Sequence, residues 1–346
     1  MIMFRRLAAV PLPLLGAALL LSACTSGGDA SSPADTGRPP ATPAVEQAVP
    51  EKYRPTAQAF AKFRSIDACA LHDIAAAQQV TGDQGDEIVP GRDGLHQCVL
   101  RLHKSEFEST WTFTVEVGAL FESQRRRDAA PETLAGMEMF IREDDHGCTV
   151  SKALDDTHAI EMRTGSVTDA PRRPCDVLRE YVSKLAPLWT DPPARDSGAT
   201  SPRLSLAGID PCVTAAAVLD DAGAGAELRP RDVFGCTVIP AHEAKTAPSK
   251  TRTDIEVVFT LDEDPAALVT SGQGARGITV GGLRAVIHER ATGCAAYVVW
   301  DPDTTVVVDR QSEDALPSYQ VIRVQAGTCD TARSAAEKVV AKVGSR

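Results

Sequence analysis

The spacing of hydrophobic residues changes along this chain. Near the start, residues 7–21 form an apolar run that only two prolines and a glycine interrupt. Residues 25–50 are then mostly Ser, Thr, Gly, Ala and Pro, without an aromatic side chain. Farther along, apolar and polar residues alternate over several short segments. This alternation is typical of strands in a sheet with one solvated face.

The alternating segments form two successive sets. The first set predicts strands at 97–103, 110–117, 137–142, 148–154 and 158–163. The second predicts strands at 235–239, 254–261, 283–289, 294–300, 304–308 and 319–325. A short helix precedes each set, ending near Ala77 and Leu219, and a longer helix follows each, at 177–188 and 331–343. The order predicts an α+β fold of two similar modules, each an antiparallel sheet with an N-terminal and a C-terminal helix packed on one face.

The cysteines repeat in the same order in both sets. The chain has nine, and eight of them fall into two groups of four. Ile-Asp-Ala-Cys at 66–69 matches Ile-Asp-Pro-Cys at 209–212, and Gly-Cys at 147–148 matches Gly-Cys at 293–294. Asp67 and Asp210 are predicted N-cap residues, because a short carboxylate accepts hydrogen bonds from the first free amides of a helix. These matches indicate a diverged repeat.

The two groups of cysteines predict two disulfides in each module. An even number of cysteines suits pairing outside the cytoplasm. Eight cysteines allow on the order of 100 connectivities, and we favour joining the first helix to the first strand and the third-cysteine strand to the last helix. This predicts the pairs Cys69–Cys98, Cys148–Cys175, Cys212–Cys236 and Cys294–Cys329. Metal binding is the alternative, but no Cys-x-x-Cys occurs and the spacings are too wide for a compact zinc site.

The first residues have the features of an export signal. Arg5 and Arg6 precede the apolar run, which is too short and too interrupted to span a membrane. Leu-Ser-Ala-Cys at 21–24 resembles the lipobox of bacterial lipoproteins. The resemblance implies cleavage before Cys24 and acylation of its sulfur, with palmitate or a similar fatty acid. The alternative is an ordinary secretory signal with an incidental cysteine.

These features together predict the organisation of the chain. Since two acyl chains anchor a protein stably where one does not, the lipid would hold the protein at the extracytoplasmic face of the cell membrane. Residues 25–50 bury too little apolar surface to fold and would form a tether. The predicted segments are a signal peptide at 1–23, the lipidated cysteine and tether at 24–55, the first module at 56–189, a linker at 190–206 and the second module at 207–346.

Charge and known motifs exclude several function classes. The net charge of -11 argues against binding of nucleic acid, which depends on clustered Lys and Arg. The one compact basic run, at 125–127, is interpreted as a solvated turn. Gly272-x-Gly274-x-x-Gly277 matches a dinucleotide motif in its letters only, because a helical turn precedes it and an extended segment follows. No cofactor and no metal site is therefore predicted.

Glu143 and Glu289 are the polar pair of greatest interest. Each glutamate stands five residues before the third cysteine of its module. They are predicted as possible ligand-binding residues at equivalent clefts. A structural salt bridge on a helix or hairpin is the alternative.

The order of lipobox, tether, Asp-Pro-Cys at a helix start and Gly-Cys on a strand is similar to a group of actinobacterial surface lipoproteins. They carry a cysteine-paired domain of unknown function that opens with Asp-Pro-Cys. That motif is complete only at 210–212, since Ala68 replaces proline in the first copy. A looser likeness is to the two-disulfide extracellular sensor domains of actinobacterial Ser/Thr kinases, which implies a ligand held in a cleft. Neither resemblance implies catalytic residues.

The sequence therefore predicts a non-enzymatic, lipid-anchored protein. It would bind a small ligand, a cell-wall fragment or an envelope protein partner. One alternative is an envelope hydrolase. Because no Gly-x-Ser-x-Gly motif occurs, its catalytic residues would have to be dispersed along the chain. Another alternative is a structural spacer of the cell envelope.

Overall fold

The computed structural model describes residues 49–92, 94–105, 108–144, 147–165, 172–195, 204–241, 254–272, 274–308 and 317–345. All of them lie in one compact unit, Thr42–Arg346. The predicted signal peptide, Cys24 and most of the predicted tether lie outside the described residues. No helix in the described ranges is long and apolar enough to cross a membrane.

Two seven-stranded antiparallel sheets form the fold, one in each module. The strands of the first sheet are β1 Gln84–Pro90, β2 Gln97–Ser105, β3 Glu108–Leu120, β4 Ala130–Leu134, β5 Met137–Asp144, β6 Gly147–Ala153 and β7 His158–Gly165. Those of the second are β8 Glu227–Asp232, β9 Gly235–Ile239, β10 Ile255–Glu263, β11 Ala275–Val280, β12 Leu283–Arg290, β13 Gly293–Val299 and β14 Ser318–Ala326.

The two sheets have the same topology, which confirms the predicted repeat. The first has the order β1-β2-β3-β7-β6-β5-β4, and the second has β8-β9-β10-β14-β13-β12-β11. The register repeats as well: Glu143 pairs with Cys148, and Glu289 pairs with Cys294. Positions in the two modules can therefore be matched residue by residue across the sheets.

Helices pack on both sheets, and most of them lie on the apolar face. The first module contains α1 Arg54–Arg64, α2 Ile74–Thr81, α3 Ser123–Arg127, α4 Pro174–Lys184 and α5 Ala186–Thr190, and the second contains α6 Pro211–Ala215, α7 Ala266–Thr270 and α8 Cys329–Gly344. The long C-terminal helices α4 and α8 bury residues at spacings of three and four, as an amphipathic helix does. One continuous hydrophobic core runs through both modules.

The four predicted disulfides are confirmed, with two in each module. They join Cys69 to Cys98, Cys148 to Cys175, Cys212 to Cys236 and Cys294 to Cys329. Each links a helical segment to a strand of the sheet that it covers. Four disulfides indicate that the folded part of the chain is extracytoplasmic.

The Gly-Cys motif repeats because of backbone geometry. Gly147 and Gly293 have φ angles of 149° and 135°, a region that residues with a side chain rarely adopt. A Cβ at either position would overlap the carbonyl oxygen of the neighbouring strand, Thr164 or Ala326. Glycine is therefore required before the third cysteine of each module.

Four strands were not predicted, and they are the edge strands β1, β4, β8 and β11. Three of them contain proline, at Pro90, Pro131 and Pro230. Edge strands tolerate proline because one side of the strand has no ladder hydrogen bonds to lose. The predicted strand at 304–308 is wrong: the segment forms a single bridge, between Val306 and Ser318.

The first helix of the first module also differs from the prediction. Asp67 precedes a short 3-10 turn, Cys69–Leu71, and its carboxylate accepts hydrogen bonds from the amides of Cys69 and Ala70. The helix proper, α2, begins afterwards, and Asp73 caps it. In the second module Asp210 caps α6 by accepting from the amide of Cys212, as predicted.

Helix α1 lies at the junction of the modules. It packs against β3 of the first sheet and β8 of the second. Arg64, at its end, is 7% exposed and donates to the carbonyl of Val233 at 2.7 Å and to Oδ2 of Asp210 at 2.5 Å. The described part of the predicted linker returns to the same region, where Ala194 pairs with Ile66.

Candidate functional site

A polar cleft of about 760 Å³ lies over the solvated side of the first sheet. The turn between β1 and β2 contributes Arg92, and the end of β10 in the second module contributes Asp262. The rest of the lining comes from the first sheet: Gln97, Val99, Thr114, Arg142, Asp144, Gly147, Cys148, Thr149, Arg163, Thr164 and Gly165. The cleft is therefore built by residues of both modules.

Four polar side chains form a row across the middle of the cleft. Arg142 on β5 pairs with Thr149 on β6, Thr149 pairs with Arg163 on β7, and Arg163 pairs with Thr114 on β3. Side chains opposite each other on neighbouring strands are about 5 Å apart at Cβ. Arg142 and Arg163 thus stand on either side of Thr149 in register, and all three side chains carry hydrogen-bond donors.

Acidic side chains orient Arg163. Its Nη2 donates to Oε2 of Glu116 at 3.0 Å, and its Nε lies 3.5 Å from Oε1 of Glu161. Arg142 is held more loosely, since its Nε is 3.8 Å from Oδ2 of Asp144. That Nε is buried and makes no hydrogen bond within the described part of the chain. The Arg142 side chain as a whole is 35% exposed, so the outer part of its guanidinium is accessible to a ligand in the cleft.

The next row on the same face holds Glu116 and Glu161, which are register partners on β3 and β7. Glu161 is only 4% exposed, and burial raises the pKa of its carboxyl despite the nearby Arg163. Burial also opposes ionisation of Glu116, but the hydrogen bond and charge of His96 and the charge of Arg163 outweigh it and lower the pKa of that carboxyl. The two neighbouring carboxyls thus differ in acidity.

The second module lacks the arginine row. By register, the positions of Arg142, Thr149, Arg163 and Thr114 correspond to His288, Ala295, Gln325 and Glu256. The disulfides, the Gly-Cys turn and the aspartates before the first cysteine are common to both modules. The arginines are therefore not needed for the fold that the modules share.

Glu143, one of the two predicted binding residues, lies outside this cleft. Both of its carboxylate oxygens accept hydrogen bonds from Nη2 of Arg173, at 2.9 and 2.8 Å. This contact is a salt bridge, but it joins β5 to the N-cap residue of α4 and does not lie within one helix or hairpin. The role of Glu143 in ligand binding stays a prediction.

Glu289, the other predicted residue, lines a second cavity of about 490 Å³ beside the Cys294–Cys329 disulfide. Its side chain makes no hydrogen bond or ion pair in the described part of the chain, whereas Glu143 is paired. The two glutamates thus share a register position but have different surroundings.

The sequence did not single out Arg142 or Arg163. Each alternates with buried residues along its strand, so the pattern reads as an ordinary solvated face. Matching the two cysteine frameworks strand by strand would have been the available signal, because it sets Arg142 against His288 and Arg163 against Gln325.

The basic run at 125–127 is more than a solvated turn. It forms the end of α3, which lies over the outer face of the first sheet. The guanidinium of Arg126 lies 5.2 Å from the ring centre of Phe121 and 5.5 Å from that of Phe140. Arg125 approaches Glu161 at 3.9 Å. The run therefore covers one end of the acidic row.

Two other histidines have structural contacts. His158 lies 3.0 Å from the Asp155 carboxylate and packs against Phe60 and Phe63. His72 is buried beside Tyr181. Among the residues that the structure describes, no group of three or more His, Cys, Asp or Glu side chains is arranged to hold a metal ion.

Comparisons with known proteins give no match: no protein-family model, no curated protein and no solved structure is similar enough to this chain to count as a relative. The fold and the two cavities are therefore interpreted from their own geometry.

Proposed function

We propose that this protein is a lipid-anchored, extracytoplasmic binding protein, not an enzyme, and that the cleft on its first sheet holds a small polar ligand with an anionic group. The observation that carries the proposal is the row of Arg142, Thr149 and Arg163, at positions where the second module has His288, Ala295 and Gln325.

The chemistry of the row supports an anionic ligand. A guanidinium group presents several N–H donors in a plane and matches the paired oxygens of a carboxylate or a phosphate. Thr149 is 6% exposed and Gln97 is 5% exposed, so the floor of the cleft is closely packed. The remaining polar groups suit hydroxyls, as in an acidic sugar or a wall fragment.

The anchor follows from Cys24 and the tether, which lie outside the described residues. An acylated Cys24 would hold the protein at the membrane, and a tether of about 30 residues would let the folded part reach ligands away from the lipid surface. Metabolic labelling with a fatty acid tests this part: label is expected on the wild-type protein and none on Cys24→Ser. Equal labelling of both proteins would contradict the anchor.

Binding to the cleft is tested by calorimetry with the full-length protein. The ligands are inorganic phosphate and glucuronate, which carry the same kind of anionic oxygens but differ in hydroxyl groups. Arg142→Gln and Arg163→Gln should each lower the affinity for the anion by about tenfold, since one charge-assisted contact is lost. The control is Arg333→Gln, an exposed arginine that pairs with Glu337 on α8.

The results of the titrations distinguish the candidate ligands. Preference for glucuronate over phosphate would support an acidic sugar, and the reverse preference would support a phosphate-bearing ligand. Affinities unchanged in both cleft variants, or lowered equally in the Arg333 control, would refute the cleft as the binding site. Conversion of a bound ligand into a product would refute the non-enzymatic function.

A further inference from the structure

The second cavity, beside Glu289, differs in one specific way from the same place in the first module. In the first module Arg173, two residues before Cys175, donates both hydrogen bonds to Glu143. The residue two before Cys329 is Gly327, which lines the cavity together with Glu289. The second module thus keeps the carboxylate and lacks the arginine side chain that would cover it.

The charges around the two glutamates also differ. On the face of the sheet that holds Glu143, the neighbouring edge strand β4 has the uncharged Ala130 opposite Ile141. The register partners of the second module place Arg290 at the position of Asp144 and Arg276 at that of Ala130. Both arginines line the cavity with Glu289. A ligand with only a positive charge would therefore meet the like charge of Arg276.

Of these two arginines, Arg276 is the one open to a ligand. Arg290 donates to the hydroxyl of Tyr297, and its guanidinium lies over the ring of that tyrosine. Arg276 makes no hydrogen bond or ion pair within the described residues. It pairs in register with Ile287, so Arg276 and Glu289 project from the same face of neighbouring strands, β11 and β12. One positive and one negative group thus share the cavity.

The start of α8 adds to the positive side. Thr328, the N-cap residue, and Cys329, at the first position, both line the cavity. The N-terminus of a helix favours a negative charge because its first amides have no partner within the helix. This end of the cavity therefore suits a carboxylate rather than an ammonium group.

We propose that this cavity is a second binding site, distinct from the arginine cleft, which takes a zwitterion: an α-amino acid or the free end of a peptide. Glu289 receives the ammonium group, which takes the place that Arg173 occupies beside Glu143 in the first module. Arg276 and the start of α8 receive the carboxylate. The cavity, at about 490 Å³, leaves room for such a group and its side chain.

The test is an NMR titration of the isotopically labelled full-length protein at neutral pH with alanine. Two analogues serve as matched probes: alaninamide lacks the carboxylate, and N-acetylalanine lacks the ammonium group. Alanine is expected to shift the backbone amides of Gly293, Gly327 and Thr328 in a saturable way. Each analogue should bind about tenfold more weakly, because one charged contact is lost.

Variants connect each charge to its residue. Glu289→Gln should remove the preference for alanine over N-acetylalanine, and Arg276→Gln should remove the preference for alanine over alaninamide. Gly327→Arg restores the arginine of the first module, and it should abolish binding by covering Glu289. Arg173→Gly, the reciprocal change in the first module, is the control and should leave the titration unchanged.

Three results would overturn the proposal. They are the absence of saturable shifts in the wild-type protein, equal binding of the three probes, and full binding by Glu289→Gln. The glutamine variant keeps the shape of the side chain, so it decides the question even if Gly327→Arg does not fold. Failure of the zwitterion proposal would not affect the proposal for the arginine cleft, since the two cavities share no lining residue.

Discussion

His72 and Tyr181 lie stacked in the core of the first module, with Nδ1 of the imidazole 3.3 Å from the phenolic oxygen. His72 follows Cys69 by three residues, and Tyr181 follows Cys175 by six. The corresponding positions of the second module, counted from Cys212 and Cys329, are both alanine: Ala215 and Ala335. A large polar pair in one module thus corresponds to a pair of small apolar residues in the other.

This pair predicts a pH dependence of stability. Burial lowers the pKa of His72 to about 4, and the hydrogen bond to the carbonyl of Cys98 offsets only part of that effect. In the unfolded chain the imidazole of His72 therefore takes up a proton near pH 6.5, whereas in the folded chain it stays neutral down to about pH 4. As the pH falls from 6.5 to 4, folding should lose about 3 kcal/mol through this residue.

Urea unfolding of the wild type and His72→Gln at several pH values measures this effect. The variant has no titrating group at this position, so its stability should fall less steeply below pH 6.5. Tyr181→Phe keeps the imidazole and serves as the control, with the slope of the wild type. Parallel curves for wild type and His72→Gln would contradict a buried, neutral histidine.

Glu116 and Glu161 predict opposite pH effects on the same face of the sheet. The pKa of Glu161 is raised, so its ionisation weakens folding as the pH rises past the ordinary value of 4.5. The pKa of Glu116 is lowered, so its ionisation strengthens folding as the pH rises from that lowered pKa to the ordinary value of 4.5, and this stability is retained above it. Relative to wild type, Glu161→Gln should gain stability from pH 4 to pH 7 and Glu116→Gln should lose it. Thermal unfolding at the two pH values measures both, and a shift of the same sign in both variants would contradict the assignment.

The glycine before the third cysteine of each module is predicted to be required for stability. Gly293→Ala should destabilise the second module by about 2 kcal/mol or more, because its Cβ would overlap the carbonyl of Ala326 and its φ is positive. Gly277→Ala is the control, since a Cβ there meets open space. Denaturant unfolding distinguishes them, and equal stability of the two variants would refute the steric reason for the motif.

Arg64 predicts coupling between the modules. Arg64→Ala would leave the carbonyl of Val233 and the carboxylate of Asp210 without this buried donor, which should cost about 3 kcal/mol. Arg54→Ala, an exposed arginine at the other end of α1, should cost less than about 0.5 kcal/mol. Calorimetric unfolding provides the comparison. A loss no greater than in Arg54→Ala would mean that this contact does not hold the junction.

Sequence reasoning went furthest where covalent or backbone geometry leaves few choices. The four disulfides followed from the cysteine register, and the central strands followed from alternation such as that of Trp111, Phe113 and Val115, all of which are buried. The edge strands were missed because proline is tolerated there and their burial is slight. Asp73 was missed as a cap because Asp67 stands closer to the cysteine.

The candidate sites were harder to predict for a different reason. Arg142 and Arg163 are 21 residues apart in the chain, and only strand pairing through Thr149 brings them into one row. Glu143 and Glu289 were recognised from the repeat, but the sequence does not show that Arg173 covers the first. That difference depends on the position of an arginine 30 residues later.

The first module is proposed to bind an anion through residues that the second module lacks. The most direct measurement is the affinity of glucuronate and phosphate for the double variant Arg142→His and Arg163→Gln, which carries the second module's residues at these positions. The wild type is expected to bind at least one of these anions, and the double variant, still folded, is expected to bind it about a hundredfold more weakly. Equal affinity in the two proteins would contradict an anion site on the arginine row.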